Sequence, residues 1–424
     1  MPQNKHPERF ASLAGEGGSR LLPRGEAGFV QRRNSMKRQH ITLLIVAIAA
    51  LLAIGLLIYQ QAGFVPPEDR EPPVVDIEPD PDPVEPEEPE EDEEALFPEG
   101  PDQQVIIENL TIPWELAFLP EGGMLVTERP GTLLYIAPDG STELIPIEQT
   151  EHVGEGGLLG MALHPDFEEN RYLYLYLTAR AEGSLINRVE RHSFENGELT
   201  LDTVILDNIP GASNHDGGRI AFGPDGMLYI CTGDAAVPAL SQDLDSLAGK
   251  ILRLADDGSV PPDNPFGTAV YSYGHRNPQG LTWDSAGNLW ATEHGPRAQD
   301  ELNLIEAGNN YGWPEIEGDQ SAPGMEDPAV HSGTAETWAP SGTAYFDGSI
   351  FFTGLRGATL YEAVLSNTEV VEVRRHLEGE FGRLRTVVIG PDGFFYLLTN
   401  NRDGRGSPAS ADDRIIRVNP RIFR

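Results

Sequence analysis

The sequence predicts an all-β fold, a six-bladed β-propeller, preceded by one transmembrane helix and a disordered acidic linker. Three observations predict it: a strand–turn–strand unit recurring six times within residues 100–424, an uncharged apolar stretch at 41–59, and a Pro/Glu-rich run between them. With 46 Gly and 35 Pro in 424 residues, the composition suits turn-rich β structure rather than a helical bundle. A formal charge of −37 repels phosphate backbones, so nucleic acid is not expected as a partner. The single Cys excludes an internal disulfide framework and Cys-based zinc or iron–sulfur sites.

Residues 1–40 form a basic segment, with eight Lys/Arg against three Asp/Glu. Residues 41–59, Ile41 to Tyr59, are almost all Ile, Leu, Ala and Val. At a rise of ~1.5 Å per residue, a helix of that length just crosses a hydrocarbon core of ~30 Å. Arg32, Arg33, Lys37 and Arg38 precede it; Glu68, Asp69 and a long acidic run follow. The positive-inside rule then places the N-terminus in the cytoplasm and everything after Tyr59 outside. The expectation is a single-pass cell-membrane protein, its propeller periplasmic or extracellular. A cleaved signal peptide is the alternative, but the stretch is long for an h-region and no clear small-x-small site follows. Arg32-Arg33 matches a twin-arginine export signal only loosely, since Asn34, Ser35 and Met36 replace the usual apolar pair. A start at Met36 would leave the anchor intact.

Residues 60–99 are assigned as linker. Between 65 and 99 it holds sixteen Asp/Glu and one Arg, interleaved with Pro79, Pro81, Pro83, Pro86 and Pro89. Such a segment cannot bury enough apolar surface to fold. Proline and self-repulsion keep it extended, at up to ~3.1 Å per residue, as a solvated spacer.

From residue 100 onward the chain repeats. The six units are Leu116 to Thr127, Met161 to Thr178, Ile220 to Asp234, Leu281 to Gly295, Thr343 to Thr353, and Val387 to Asn401. Each joins an apolar strand to an aromatic-rich one through a Pro/Asp/Gly turn, where glycine accepts the positive φ that tight hairpins need. Evenly spaced hairpins of this kind mark propeller blades, and six copies imply six four-stranded blades. A five- or seven-blade count is the rival, since divergent blades are easily missed or counted twice.

In a propeller, ligands sit over one mouth of the central channel, on the inter-strand loops. The polar clusters are therefore the candidates. They are Gly154 to Gly160, Ser213-Asn-His-Asp-Gly-Gly-Arg219, Tyr273-Gly-His-Arg-Asn-Pro-Gln-Gly280, Thr292-Glu-His-Gly-Pro-Arg297, Asp300 to Ile305, Asn309 to Pro314, and Gly382-Arg-Leu-Arg385. Arg383 and Arg385 stand at i and i+2 on an expected strand, which turns both to one side and suits a ligand with several anionic groups. Arg356 and Arg276 extend the set; pairing of each with a surface carboxylate is the plain alternative. His215, among glycines, is exposed to ligand and suits a base near neutral pH. His275 and His294 read as structural. Carbonyls of Gly295 and Pro296, with Asp300, Glu301 and the Tyr311 carbonyl, are hard oxygen donors of the kind Ca²⁺ prefers.

GHRNPQG, EHGP, DELNLI and NNYGWP, in that order, with GLLGMALHPDF, NHDGGRI, GLRG and GRLR, resemble the glucose/sorbosone dehydrogenase family across roughly residues 103–420. The resemblance implies a six-bladed propeller carrying pyrroloquinoline quinone (PQQ) and Ca²⁺ over its mouth. It implies oxidation of aldose sugars at C1 to lactones, with electrons passing to a membrane quinone or cytochrome. His215 matches the catalytic base, and Arg276 matches the Arg near the reactive quinone oxygen. Asn277 and Gln279 match cofactor contacts, and Arg383 and Arg385 match the pair holding the PQQ carboxylates. Arg356 falls where relatives often have Lys. Gly295 and Pro296 match carbonyl ligands of the cofactor calcium; Glu301 and Tyr311 match a second, structural calcium site.

The chain departs from the pattern in four places. Glu155 stands where the active enzymes have a Gln contacting PQQ, and a carboxylate there repels an anionic cofactor unless protonated or calcium-bound. Asn214 replaces the Asp of the glucose enzyme. Glu336-Thr337-Trp338 replaces a Trp-Pro-Thr segment of the substrate wall. The long insertions that form the glucose enzyme's dimer contact are missing. Two other readings stay open: a non-catalytic propeller binding carbohydrate or protein, and a calcium-dependent hydrolase such as a lactonase, which needs an axial ring of acidic residues that the sequence does not display.

Overall fold

The computed structural model describes residues 97–424. The basic segment, the apolar stretch 41–59 and the linker up to residue 96 lie outside the described residues. Among the described residues, no helix is long and apolar enough to cross a membrane.

Six four-stranded antiparallel sheets make up the fold. Blades 1 to 5 are each built from four consecutive strands, with inner strands Pro113–Phe118, Leu158–Leu163, Ile220–Phe222, Pro278–Trp283 and Pro340–Phe346. Blade 6 begins with Leu384–Ile389 and takes its outermost strand, Gln103–Ile107, from the start of the domain. That strand pairs with Ile415–Val418 in the register Gln103↔Val418 to Ile107↔Ile415, so the ring closes between the two ends of the domain. The count of six is settled, and each recurring unit corresponds to the two innermost strands of one blade.

The physical reason for the repeat is burial on two faces. Each blade packs against a neighbour on either side, so middle strands such as Leu228–Thr232, Leu289–Glu293 and Phe395–Thr399 are buried along their whole length. Six apolar clusters fill the interfaces between successive blades. Trp290, fully buried between blades 4 and 5, is among the largest of these side chains. The turns behave as their composition requires. Gly226 and Gly393 have φ of 75° and 77°, and the preceding Asp225 and Asp392 accept Met227 and Phe394 N–H groups at 3.1 and 3.3 Å.

Irregular register at the start of five inner strands marks one mouth of the channel. Shifts fall at Pro113/Glu115, Leu158/Met161, Pro278/Gly280, Pro340/Thr343 and Leu384/Thr386. Such bulges re-aim side chains at the rim of a closed sheet. Three candidate clusters, Gly154 to Gly160, Tyr273 to Gly280 and Gly382 to Arg385, lead into these strand starts; Ser213 to Arg219 leads into Ile220–Phe222, and Thr292 to Arg297 follows the second strand of blade 4. The chain enters the domain at the other end: Phe97 packs on Phe346, the last residue of the blade 5 inner strand, at 6.4 Å between centroids.

Candidate active site

His215 lies in the loop that leads into the inner strand of blade 3, with φ 62°. That left-handed backbone costs a non-glycine residue on the order of 1 kcal/mol, so the surroundings must hold it. Its N–H donates to Glu155 Oε2 at 3.0 Å, and its carbonyl accepts the Ala235 N–H at 3.2 Å. A Cβ at Gly233 would lie 1.8 Å from that carbonyl oxygen, which explains the glycine there.

The imidazole bridges two charged groups. Nδ1 is 2.7 Å from Asp234 Oδ1, and Nε2 is 2.8 Å from Arg276 Nη2. A guanidinium can only donate, so Nε2 is an acceptor and Nδ1 carries the proton given to Asp234. The ring is therefore neutral, with its lone pair at Nε2. Asp234 is fully buried, and its other bonds fix its orientation: Oδ1 accepts the Ala236 N–H at 2.8 Å and Oδ2 the Trp313 indole N–H at 2.9 Å.

Arg276 is held from three sides. Its backbone N–H donates to Glu293 Oε1, its Nη1 donates to the His294 carbonyl at 3.2 Å, and its guanidinium lies 5.4 Å from the Trp313 ring centroid. Burial lowers its pKa, against the charges of Asp234, Glu293 and Glu155. Glu293 also orients His275, which is fully buried between Glu293 Oε2 and Ser272 Oγ at 2.8 Å each and stacks on Tyr311. His294 sits 2.7 Å from the Pro340 carbonyl, and burial pushes its pKa down to about 4, outweighing the opposing charges of Asp300 and Glu155. Both rings are structural, as their sequence setting implies.

Further guanidinium side chains lie at the same mouth, away from direct contact with His215. Arg385 is buried, donating to Gln279 Oε1 at 2.7 Å and to Asn400 Oδ1 at 3.3 Å. Burial and the neighbouring charge of Arg129 bring its pKa down to about 9, so an anion at this point restores what desolvation removes. Arg383 stands just ahead of the inner strand of blade 6, with Nη2 on Asp403 Oδ2 at 2.7 Å and Nη1 on the Leu355 carbonyl at 3.2 Å. Arg356, next in sequence to Leu355, is exposed. Among the buried donors without a hydrogen-bond partner are Arg276 Nε, Asn277 Nδ2 and Arg385 Nε. Asn277 Oδ1 is used, accepting the Gly217 N–H at 3.0 Å. A donor set of this kind fits an anion rich in carboxyl and carbonyl oxygens.

The candidate cation ligands divide. Asp300 is filled by protein donors: Oδ1 accepts the Gly295 N–H at 2.9 Å, and Oδ2 accepts Thr337 Oγ1–H and the Trp338 and Ala339 N–H groups at 2.7 to 3.0 Å. It clamps the Gly295 loop and the Glu336-Thr337-Trp338 segment together. At Gly295 a Cβ would meet the Ala298 and Gln299 carbonyl oxygens at 2.0 and 2.6 Å, so this turn crowds main-chain oxygens together. Glu301 faces Glu293 across paired strands, and burial, then the Glu293 charge, raise its pKa to about 8. A cation beside Glu301 and the Tyr311 carbonyl would relieve both costs. Tyr311 itself is fixed through its hydroxyl, which donates to the Leu304 carbonyl at 2.6 Å.

Four residues of the site are not singled out by the sequence. Asp234 lies just past the strand Leu228–Thr232 and Glu293 ends Leu289–Glu293, and their burial hides their role. Arg129 and Arg405 lie in loops of other blades; Arg129 shares the fields of Glu155, Asp403, Arg383 and Arg405. Glu155 is the largest correction. Burial raises its pKa, yet the His215 N–H and Arg405 outweigh that and hold it at about 2. Glu155 Oε1 pairs with Arg405 Nη1 at 2.8 Å. Its charge is therefore balanced by a guanidinium of the same protein.

The glucose/sorbosone dehydrogenase family model matches residues 110–416. The chain belongs to this family. It is 34% identical to the aldose sugar dehydrogenase YliI of Escherichia coli K12 over 357 residues, covering 75% of this chain and 92% of that one. Quinoprotein glucose dehydrogenase B of Acinetobacter calcoaceticus is 34% identical over 253 residues, which cover 51% of this chain and 53% of its own length. The PQQ-bound aldose sugar dehydrogenase of Streptomyces coelicolor superposes with a TM-score of 0.70 at 42% identity, over 76% of this chain and 98% of that one. As a glucose/sorbosone dehydrogenase family member, the chain places His215, Arg276, Asn277, Gln279, Arg383 and Arg385 at one mouth of a six-bladed propeller.

Proposed function

We propose that the protein is a membrane-anchored quinoprotein that oxidises aldose sugars at C1 to lactones, using PQQ and Ca²⁺. The observation that carries this reading is the Asp234–His215–Arg276 relay, set beside buried guanidinium groups with unused donors. PQQ, when bound, supplies the hydride acceptor. Arg383, Arg385, Asn277 and Gln279 would hold it, with Arg356 at the rim and Ca²⁺ on the Gly295 and Pro296 carbonyls.

The protein's own part is proton management and positioning. His215 Nε2 takes the proton from the C1 hydroxyl as hydride leaves that carbon. Asp234, fully buried, stabilises the imidazolium that forms. Arg276 moves its hydrogen bond from His215 to the developing negative charge, so the base is freed as the charge appears. The Arg405 ion pair supports the enzyme over a non-catalytic propeller, because the charge of Glu155 is balanced within the protein.

Anchoring through 41–59, with the propeller outside the cytoplasm and a membrane quinone or cytochrome taking the electrons, completes the proposal. Entry of the chain beside Phe346 supports it, since an inner strand of ~20 Å then separates the tether from the mouth that takes sugar. The test is a C1-deuterated aldose with the PQQ-loaded full chain. Several-fold slower dye reduction with lactone as product is expected; oxidation at another carbon contradicts the proposal.

A further inference from the structure

Glu155 connects three parts of the mouth. Its own loop precedes the inner strand of blade 2 and lies hard against the His215 loop: the Glu155 N–H donates to the Ser213 carbonyl at 2.9 Å, and a Cβ at Gly154 would lie 2.0 Å from that oxygen. One carboxylate oxygen, Oε2, accepts the His215 backbone N–H at 3.0 Å. The other, Oε1, meets Arg405 at 2.8 Å, across 250 residues of sequence. Arg405 belongs to the 400–414 loop of blade 6, which also supplies Asp403 to Arg383. The same loop is fastened from within by Asp413, whose carboxylate accepts the Asn401 and Arg402 N–H groups.

We propose that Glu155 and Arg405 form a charge-balanced latch, Glu155 positioning the backbone of His215 and Arg405 cancelling its charge so that an anionic cofactor can enter. This deepens the quinoprotein reading and rests on it. The Glu155 side chain is 18% exposed and that of Arg405 58%, so the carboxylate sits inward with the guanidinium over it. Without Arg405, a poorly solvated carboxylate faces the cofactor pocket unpaired. Without the Glu155 oxygen, nothing accepts the N–H that holds His215 in its left-handed turn.

The test uses the full chain with Ca²⁺ and reads the PQQ dissociation constant by tryptophan quenching, alongside kcat. R405A is expected to bind PQQ about tenfold more weakly. R405K is expected to stay near wild type, and E155Q/R405A to recover to within about threefold, because removing the charge removes the need for its partner. E155Q keeps an acceptor for His215 and most of kcat; E155A loses about tenfold or more in kcat. A merely structural contact would lower thermal stability without rescue by the second substitution. R405A binding as wild type, or a double variant no tighter than R405A, overturns the latch. A wild-type chain that fails to bind PQQ rejects the quinoprotein reading itself, which is a separate result.

Discussion

Asp234 Oδ1 stands 2.7 Å from His215 Nδ1, and that contact decides which ring nitrogen is free to accept a proton. With Nδ1–H committed to a fully buried carboxylate, the lone pair is left at Nε2. Asn at position 234 would present an amide that can hold the other tautomer. D234N is expected to lower kcat by about 10²–10⁴-fold, and H215A to abolish turnover while PQQ binding persists. Stopped-flow dye reduction beside a binding titration checks both. Wild-type kcat in D234N would remove Asp234 from the mechanism.

Arg383 is expected to matter for affinity more than for chemistry. Its Nη2 pairs with Asp403, and it stands beside the Leu355 carbonyl rather than beside His215. R383A should weaken PQQ binding by about tenfold or more while a saturated variant keeps most of kcat. Unchanged affinity in R383A would exclude it from the anion site.

Asp216, next in sequence to His215, makes stability depend on pH. Its Oδ1 accepts the Ala212 N–H and Asn187 Nδ2–H at 3.0 Å, while Oδ2 is buried without a partner. Burial raises its pKa to about 6, chiefly against those two donors. The native state thus holds a proton that the unfolded chain releases near its ordinary pKa of 3.8. Stability contributed by this group is present below that value and is lost as pH rises through about 6, by roughly 3 kcal/mol. D216N keeps the accepting oxygen without the charge. It should flatten thermal stability between pH 4 and 6 and raise the melting temperature at pH 8. A lower melting temperature at pH 8 would show that the ionised carboxylate is wanted there.

Gly233 gives a steric test of the His215 turn. A methyl group 1.8 Å from the His215 carbonyl must displace one loop or the other. G233A is expected to lose about 10²-fold in kcat through misplacement of the base, with the propeller's circular dichroism unchanged. Full activity would mean that the turn tolerates movement.

The fold was legible where burial repeats. The inner hairpins are apolar on both faces, and five of the six turn on glycine while blade 2 turns through Phe167–Asn170, so all six stand out. The outer strands Glu198–Pro210 and Glu369–His376 are largely exposed and carry no such pattern. The closing strand Gln103–Ile107 finds its partner at the far end of the chain, a pairing that no local pattern encodes. At the site, His215 and Arg276 were visible because each sits in a dense polar motif. Asp234 and Arg405 were not, and Glu293 stood out only as a member of its motif, because their importance lies in partners brought together only by the ring. Arg405 and Glu155 come from blades 6 and 2. Read alone, Glu155 implied repulsion of the cofactor; with Arg405 beside it, the same carboxylate is neutralised.

The most direct measurement is a titration of the full chain with PQQ and Ca²⁺, followed by dye reduction across a panel of aldoses. The account predicts saturable, calcium-dependent PQQ binding, turnover with at least one aldose, and no turnover in H215A. Absence of PQQ binding, or sugar-dependent dye reduction that survives in H215A, would contradict it.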